Sequence, residues 1–379
     1  MTMSNTNDTV SLLINGKAHQ EWLTYSIDSN MLTLADDWNM LASFDMNDPA
    51  GAVIPPFIYE GATVKVTLGS DVILNGIVDT IDDDITKESR YFEMYGRDQG
   101  GLLLDCSAPL LSLQEMTLDQ IIKNAVIPLG IQRVEYRAKL YAPRQKFHTE
   151  PGETVWEWLR SACEANQVWP WFAPDGTLII GTPDYTTPPV GNLIMRFNGD
   201  GNNVLQMRRT RSITRSYSKV TVLGQSSGDG DVGHNDIIGT ATDPTMPLYR
   251  PLTVVDGNCE TDDLATRRAN KLMADGRMDR DHLVVTVAGH RVMTSGGTGQ
   301  PWAPGMRVQV MSEPHAINAV YFVMRRKFHL SRDEQQTELF LIPDGTWILN
   351  LGFIKAQRRS DFGTRKGYYA GSNAGDNGG

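Results

Sequence analysis

A chain of 379 residues is long enough for two or three domains, each with a core of its own. Its formal net charge of −10, from 45 acids against 35 Lys and Arg, argues against a general nucleic-acid binder, which neutralises phosphates with cations. The 35 glycines and 19 prolines favour turns and strands over long helices.

Cys106, Cys163 and Cys259 are odd in number, widely spaced and never in a CxxC pair, so a disulfide framework and a zinc site are both disfavoured and small buried apolar groups are expected. The first ten residues, MTMSNTNDTV, carry neither a basic region nor an apolar core, and nowhere do eighteen apolar residues run together. A secretion signal and a membrane-spanning helix are therefore not expected.

From Val10 to about Ser107 the signals are those of strands. Asn15-Gly16 is a hairpin dipeptide, and Ala62, Val64, Val66 and Leu68 alternate with Thr63, Lys65 and Thr67, which predicts strands with one buried face. Ile73 to Val78 and Arg90 to Tyr95 continue the pattern, with Asp82-Asp83-Asp84 read as the turn between them, giving a small antiparallel barrel or sandwich. The next stretch changes character. Thr117 and Gln120 form a capping box ahead of Leu118, Ile121, Ile122 and Ala125, and Pro128 ends the run.

A second capping box, Thr154 with Glu157, opens a helix with Val155, Trp158, Leu159, Ala162 and Asn166 on one face and Glu157, Arg160, Ser161 and Glu164 on the other. After it, Val168 to Phe172 reads as a strand that turns at Pro174-Asp175-Gly176 into Thr177 to Ile180, with Pro170 requiring either an edge strand or a place among the strand's first residues. A Pro- and Thr-rich link, Pro183 to Pro189, leads into a second β-rich region. There Ser216 to Leu223 is a strand, Gly224 to about Asp262 is a long irregular loop, and Asp262 to Met278 is a helix. Strands follow at Leu283 to Ala288, Met306 to Met311, Val320 to Leu330 and Thr337 to Ile342. The tail beyond Gly352 is basic and then Gly-rich, too poor in apolar residues for a core.

Each candidate for chemistry has a plainer reading beside it. Asp229 to Thr240 begins like a calcium loop, but Gly233, His234 and Thr240 stand where an oxygen ligand, the turn glycine and the bidentate glutamate belong. Ser216-x-x-Lys219 matches a serine-hydrolase motif by letters alone and lies in a predicted strand without its partner motifs. Gly296 to Gly299 is not followed by a phosphate-binding helix start. The seven histidines, His19, His148, His234, His282, His290, His315 and His329, show no metal-ligand spacing. Arg208, Arg209, Arg211 and Arg215 form a basic cluster; Arg209, Arg211 and Arg215 would share a strand face that could touch phosphate or meet acids across a subunit contact, and the net acidic charge favours the subunit contact, to be covered by a neighbour along with the strand edges.

The densest candidate is Thr154 to Ile180, where Glu153, Glu157 and Glu164 could pose as glycosidase carboxylates and Trp156, Trp158, Trp169 and Trp171 as a sugar platform. Each glutamate has a local role at a helix start or on a polar face, and the tryptophans fit packing against the hairpin, which favours a core.

The order of parts resembles the central baseplate hub proteins of contractile-tailed bacteriophages, the Mu type above all, with kinship to the upper part of type VI secretion spikes. The likeness is carried by Ile73 to Asp79, by Tyr95-Gly-Arg-Asp98 with Leu103 to Ser107, by Glu153 to Val155 with Asp175 to Leu178, and by Trp302-Ala-Pro-Gly305 with Val308, Val310, Tyr321, Val323, Thr337 and Leu339.

The resemblance implies a mainly β fold with α+β modules: a β-barrel domain at 8–107, a helix-and-hairpin module at 108–192, a second, related β-barrel at 193–345 with an insertion at 224–280, and a flexible tail at 346–379. It implies a non-enzymatic, homotrimeric hub in the virion, assembled in the host cytoplasm. Such a hub joins a hexameric tail tube and baseplate wedge proteins to a trimeric membrane-piercing spike around a channel that passes DNA. No catalytic, metal or cofactor residue is implied and no cofactor is expected. The rival reading is a peptidoglycan hydrolase, glycosidase or carbohydrate-binding tail component that uses Trp156 to Trp171.

Overall fold

A computed structural model describes residues 8–44, 56–87, 89–109, 117–138, 152–224, 237–257, 259, 261–294, 297–331 and 334–347. The N-terminal unit is a set of antiparallel strands: β1 (Val10–Ile14), β2 (Lys17–His19), β3 (Thr24–Asn30), β4 (Asp37–Phe44), β5 (Thr63–Leu68), β6 (Asp71–Ile85) and β7 (Arg90–Asp98). Asn15 and Gly16 join β1 to β2 with φ of 49° and 81°. Two positive φ values in a two-residue loop match the right-handed strand twist, which is why Asn-Gly is favoured there.

A small α+β unit follows, built from α1 (Gly100–Asp105), α2 (Leu118–Ile121), β8 (Val134–Tyr136), α3 (Val155–Ala165), β9 (Trp169–Phe172) and β10 (Leu178–Gly181). The helix that opens at α2 continues through a π turn and a 3-10 turn, and it stops at Gly130, whose φ of 93° is costly for a residue with a Cβ. As Pro170 predicts, β9 is an edge strand, in the order β8-β10-β9.

The chain then forms β11 (Asn192–Met195) and β12 (Gln206–Arg211) and leaves for a third unit made of β13 (Lys219–Leu223), β14 (Ile238–Thr242), β15 (Pro251–Val255) and α4 (Asp262–Gly276). It returns as β16 (Asp281–Ala288), β17 (Arg291–Thr294), β18 (Gly297–Pro301), β19 (Arg307–Ser312), β20 (Ile317–Ser331) and β21 (Glu334–Pro343). The third unit has its own core, in which Val220, Val222 and Ala241 pack on Ala265, Ala269 and Met273.

Three expectations change here. Gly224 to Asp262 is not one irregular loop, because β14 and β15 flank β13 on either side; β14 buries only a glycine and an alanine and β15 opens on a proline, so these five-residue strands announce themselves poorly. Asp82 to Asp84 are not a turn but the end of β6, paired across to Glu93, Phe92 and Tyr91. The strand read from Ser216 starts at Lys219. The calcium-like run Asp229 to His234, Gly296, His148 and the tail lie outside the described residues.

The two β units repeat one strand order. The first runs β3-β4-β7-β6-β5-β1 and the second β12-β16-β21-β20-β19-β11. Each contains a long hairpin, β6 with β7 and β20 with β21, and in each the longer strand carries a bulge, between Val78 and Thr80 and between Val323 and Arg325. The units join in one continuous sheet. The first part of β20, Ile317 to Phe322, pairs with β19, and beyond the bulge Arg325 to Leu330 pair with β3.

Candidate functional site

The tryptophan-rich stretch is the best sequence candidate for a pocket. Thr154 accepts a hydrogen bond from the Glu157 backbone N–H, and the Glu157 carboxylate accepts from the Thr154 N–H at 2.7 Å, so this glutamate serves the helix start. Glu153 accepts from Trp158 Nε1 at 3.0 Å. Trp156 meets Trp169 edge-on with ring centroids 5.7 Å apart, and Trp169 meets Trp347 edge-on at 6.1 Å. The Trp169 indole N–H donates to the Met31 carbonyl at 2.6 Å. Trp158 and Trp169 are buried, and Trp156 and Trp171 are half-buried and packed against the cluster that holds Trp169, so the four serve packing more than an open aromatic platform.

Glu164 departs from the sequence reading, because it does not point to solvent. It receives Arg268 at 3.0 Å and Lys271 at 3.3 Å from α4, and Lys271 also reaches Asp275 at 2.6 Å. Burial raises the Glu164 pKa, but the facing Lys271 and Arg268 outweigh it and hold the carboxyl below its ordinary value. A carboxylate kept ionised between two cations is a poor general acid. Its work is to fasten α3 to α4.

The arginine cluster divides. Arg209 is paired with Asp281 of β16, the neighbouring strand, and its guanidinium also donates to the His315 carbonyl at 3.3 Å. Arg215 lies beyond the end of β12 and sits 3.9 Å from Asp279. It therefore does not share a strand face with Arg209 and Arg211. Arg208 and Arg211 are exposed on β12 and make no ion pair among the described residues. Among the described residues β12 ends the long sheet and pairs with β16 alone.

Two further candidates, Ser216 and His290, have structural duties. Ser216 is buried and donates to the Gly276 carbonyl at 2.9 Å. His290 is fully buried, with Nε2 2.8 Å from the Tyr25 hydroxyl, Nδ1 3.0 Å from Thr337 Oγ1 and its ring stacked on Phe328. Burial, then Arg326 and His329, push its pKa down to about 3. His290 thus bridges the first β unit to the second as a neutral ring.

The motif residues also act at joints. Arg97 binds Asp79 at 2.7 Å and Asp105 at 2.6 Å, tying β7 to β6 and to α1. Asp98 Oδ1 accepts from the Gly100 N–H at 2.8 Å. Arg291 reaches back to Asp8 at 3.0 Å and Asp71 at 2.7 Å, and Arg326 is buried with bonds to the Ile27 and Ile73 carbonyls at 3.0 and 3.1 Å. The sequence reading passed over both arginines, since nothing local marks their reach to Asp8, Asp71, Ile27 and Ile73, each more than two hundred positions away.

Comparison with known proteins bears on this arrangement. Four consecutive family models match: Mu phage baseplate assembly protein GpP-like, N-terminal, at 9–98; baseplate hub protein gp44-like, second domain, at 100–182; tail protein NMB1110-like, third domain, at 216–273; and tail protein, C-terminal domain, at 275–346. The baseplate hub protein gp44 of Escherichia phage Mu is 24% identical over 89% of this chain and 88% of its own length. The tail protein of Neisseria meningitidis MC58 is 36% identical, with a TM-score of 0.76 over 89% of this chain and 97% of that one.

The chain belongs to the Mu-like baseplate hub family. The 43 kDa tail protein of prophage MuSo2 from Shewanella oneidensis shares the fold, with a TM-score of 0.77 at 22% identity over 89% of this chain and 99% of that one. In this hub the conspicuous residues stand where units meet, and the mainly β architecture with α+β modules is that of the family. Among the described residues no helix is long and apolar enough to cross a membrane.

Proposed function

We propose that this hub is a homotrimer that adapts a hexameric tail tube to a trimeric membrane-piercing spike and surrounds a channel through which DNA passes. The observation that carries this reading is the repeated strand order of the two β units, fused through β20 and β3. Two like units per chain turn a threefold assembly into six similar units, which is what a sixfold tube can match. In this reading 8–107 and 193–345, the latter with its insertion at 224–280, supply the ring. The chain acts through interfaces and not through catalysis: Glu157 caps a helix and Glu164 is bound by two cations. A net charge of −10 suits a conduit that must not hold DNA, because phosphate is repelled.

The test is particle mass by light scattering, with and without the spike protein. Three chains per particle, alone or with spike, is the expected result, and a single chain under both conditions overturns the reading.

A further inference from the structure

We infer that the trimer seam is a strand pairing in which the distal half of β6 of one copy adds antiparallel to β12 of the next, with Asp84 opposite Arg208. The inference rests on the trimeric reading above and says where its subunits touch. It starts from the repeated strand order. Within the chain, β20 of the second unit pairs beyond its bulge with β3 of the first. The counterpart of β20 is β6, and the counterpart of β3 is β12.

Among the described residues both counterparts have an edge to spare. β5 covers β6 only from Asp71 to Ile77, while Thr80 to Ile85 pair with β7 on the other side. Among the described residues β12 is the last strand of the sheet. Open edges of this kind are templates for pairing with another chain.

Carrying the internal register across fixes the contacts. Thr80 follows its bulge opposite Tyr95 as Arg325 follows its bulge opposite Phe340. On the partner side Ile27 stands opposite Trp38, which faces Gly96, and Arg209 stands opposite Leu283, which faces Leu341. The observed pairs His329 with Ser26 and Leu330 with Tyr25 therefore become Asp84 with Arg208 and Ile85 with Met207.

The chemistry agrees with a register in which no charge was considered. The β6 end, Ile81 to Ile85, reads IDDDI, and β12 reads QMRRTR. Asp82 and Asp84 are exposed on the face that would meet Arg208 and Thr210, and neither Asp84 nor Arg208 makes an ion pair among the described residues. Ile85, an apolar side chain left 58% exposed, finds Met207. Opposite charges directly across a strand pair favour it, and like charges oppose it. A head-to-tail contact of one edge with a different edge closes into a ring when its rotation closes, as a threefold one does.

The experiment combines charge reversal with cross-linking in the full chain. Asp84→Arg and Arg208→Asp are each expected to raise the concentration of half-association by roughly tenfold or more, and the double variant to return within about threefold of the native value, as close charge pairs across an interface do. Asp84→Cys with Arg208→Cys, treated with a short bismaleimide, should give a covalent trimer on denaturing gels. Either single cysteine variant, which retains Cys106, Cys163 and Cys259, should give none. Native particles of three chains that neither cross-link nor respond to the swap would overturn this seam and leave the trimer standing. One chain per particle with and without spike would remove both.

Discussion

At the scale of single residues, His290 links the two β units as a neutral base. Its pKa is about 3 in the fold against about 6.5 in an unfolded chain. The unfolded state therefore takes up a proton between these values that the folded state refuses, so the stability His290 supports is complete above pH 6.5 and is lost as pH falls toward 3. The groups around it are Tyr25, Thr337, Phe328, Arg326 and His329. Urea unfolding at pH 7 and 5 should show the native protein losing about 2 kcal/mol more than His290→Gln over that interval. Equal pH slopes in the two proteins would show that His290 is not held neutral. The sequence showed only that His290 lacks metal-ligand spacing, because its partners Tyr25 and Thr337 are too distant along the chain to read. Both capping boxes were legible because cap and partner are three residues apart. Glu164 was not, because Arg268 comes 104 residues later.

At the scale of elements, alternation and turn dipeptides exposed most strands, and the failures have physical causes. Asp82 to Asp84 looked like a turn because three like charges in a row suit solvent. They continue a strand because Asp83 is bonded to Arg90 at 2.7 Å across the hairpin, while Asp82 and Asp84 alternate to the other face. The hidden sheet of the third unit shows the reverse problem. Its packing depends on absent side chains: a Cβ on Gly239 would lie 2.0 Å from the Ala265 carbonyl carbon, so α4 rests directly on the β14 backbone. Gly239→Ala should destabilise that unit by about 3 kcal/mol, an overpacking penalty. Limited proteolysis should then cut within 216–273 faster than in the native chain while the β units stay protected. Unchanged cleavage there would mean that α4 does not sit so close.

At the scale of the molecule, the order of four family segments was readable from motifs at turns and strand ends, and the internal repeat was present in outline. Gly61 with Val64 and Val66 stands before β6 as Gly305 with Val308 and Val310 stands before β20. It was expected from the resemblance but not read from the residues, because a glycine and two alternating valines are ordinary strand chemistry, and only the shared bulge and pairing make them equivalents. The joint between the units is backbone pairing reinforced by Arg291 and Arg326, so the angle from one unit to the next is built into each chain.

That built-in angle gives the most direct test of the central claim, which is end-on averages of purified particles by electron microscopy. The predicted image is a ring of six similar densities around an open centre, threefold symmetric in detail, with alternate contacts formed within and between chains. A compact particle with no open centre, or a ring whose count is not six, would contradict the account.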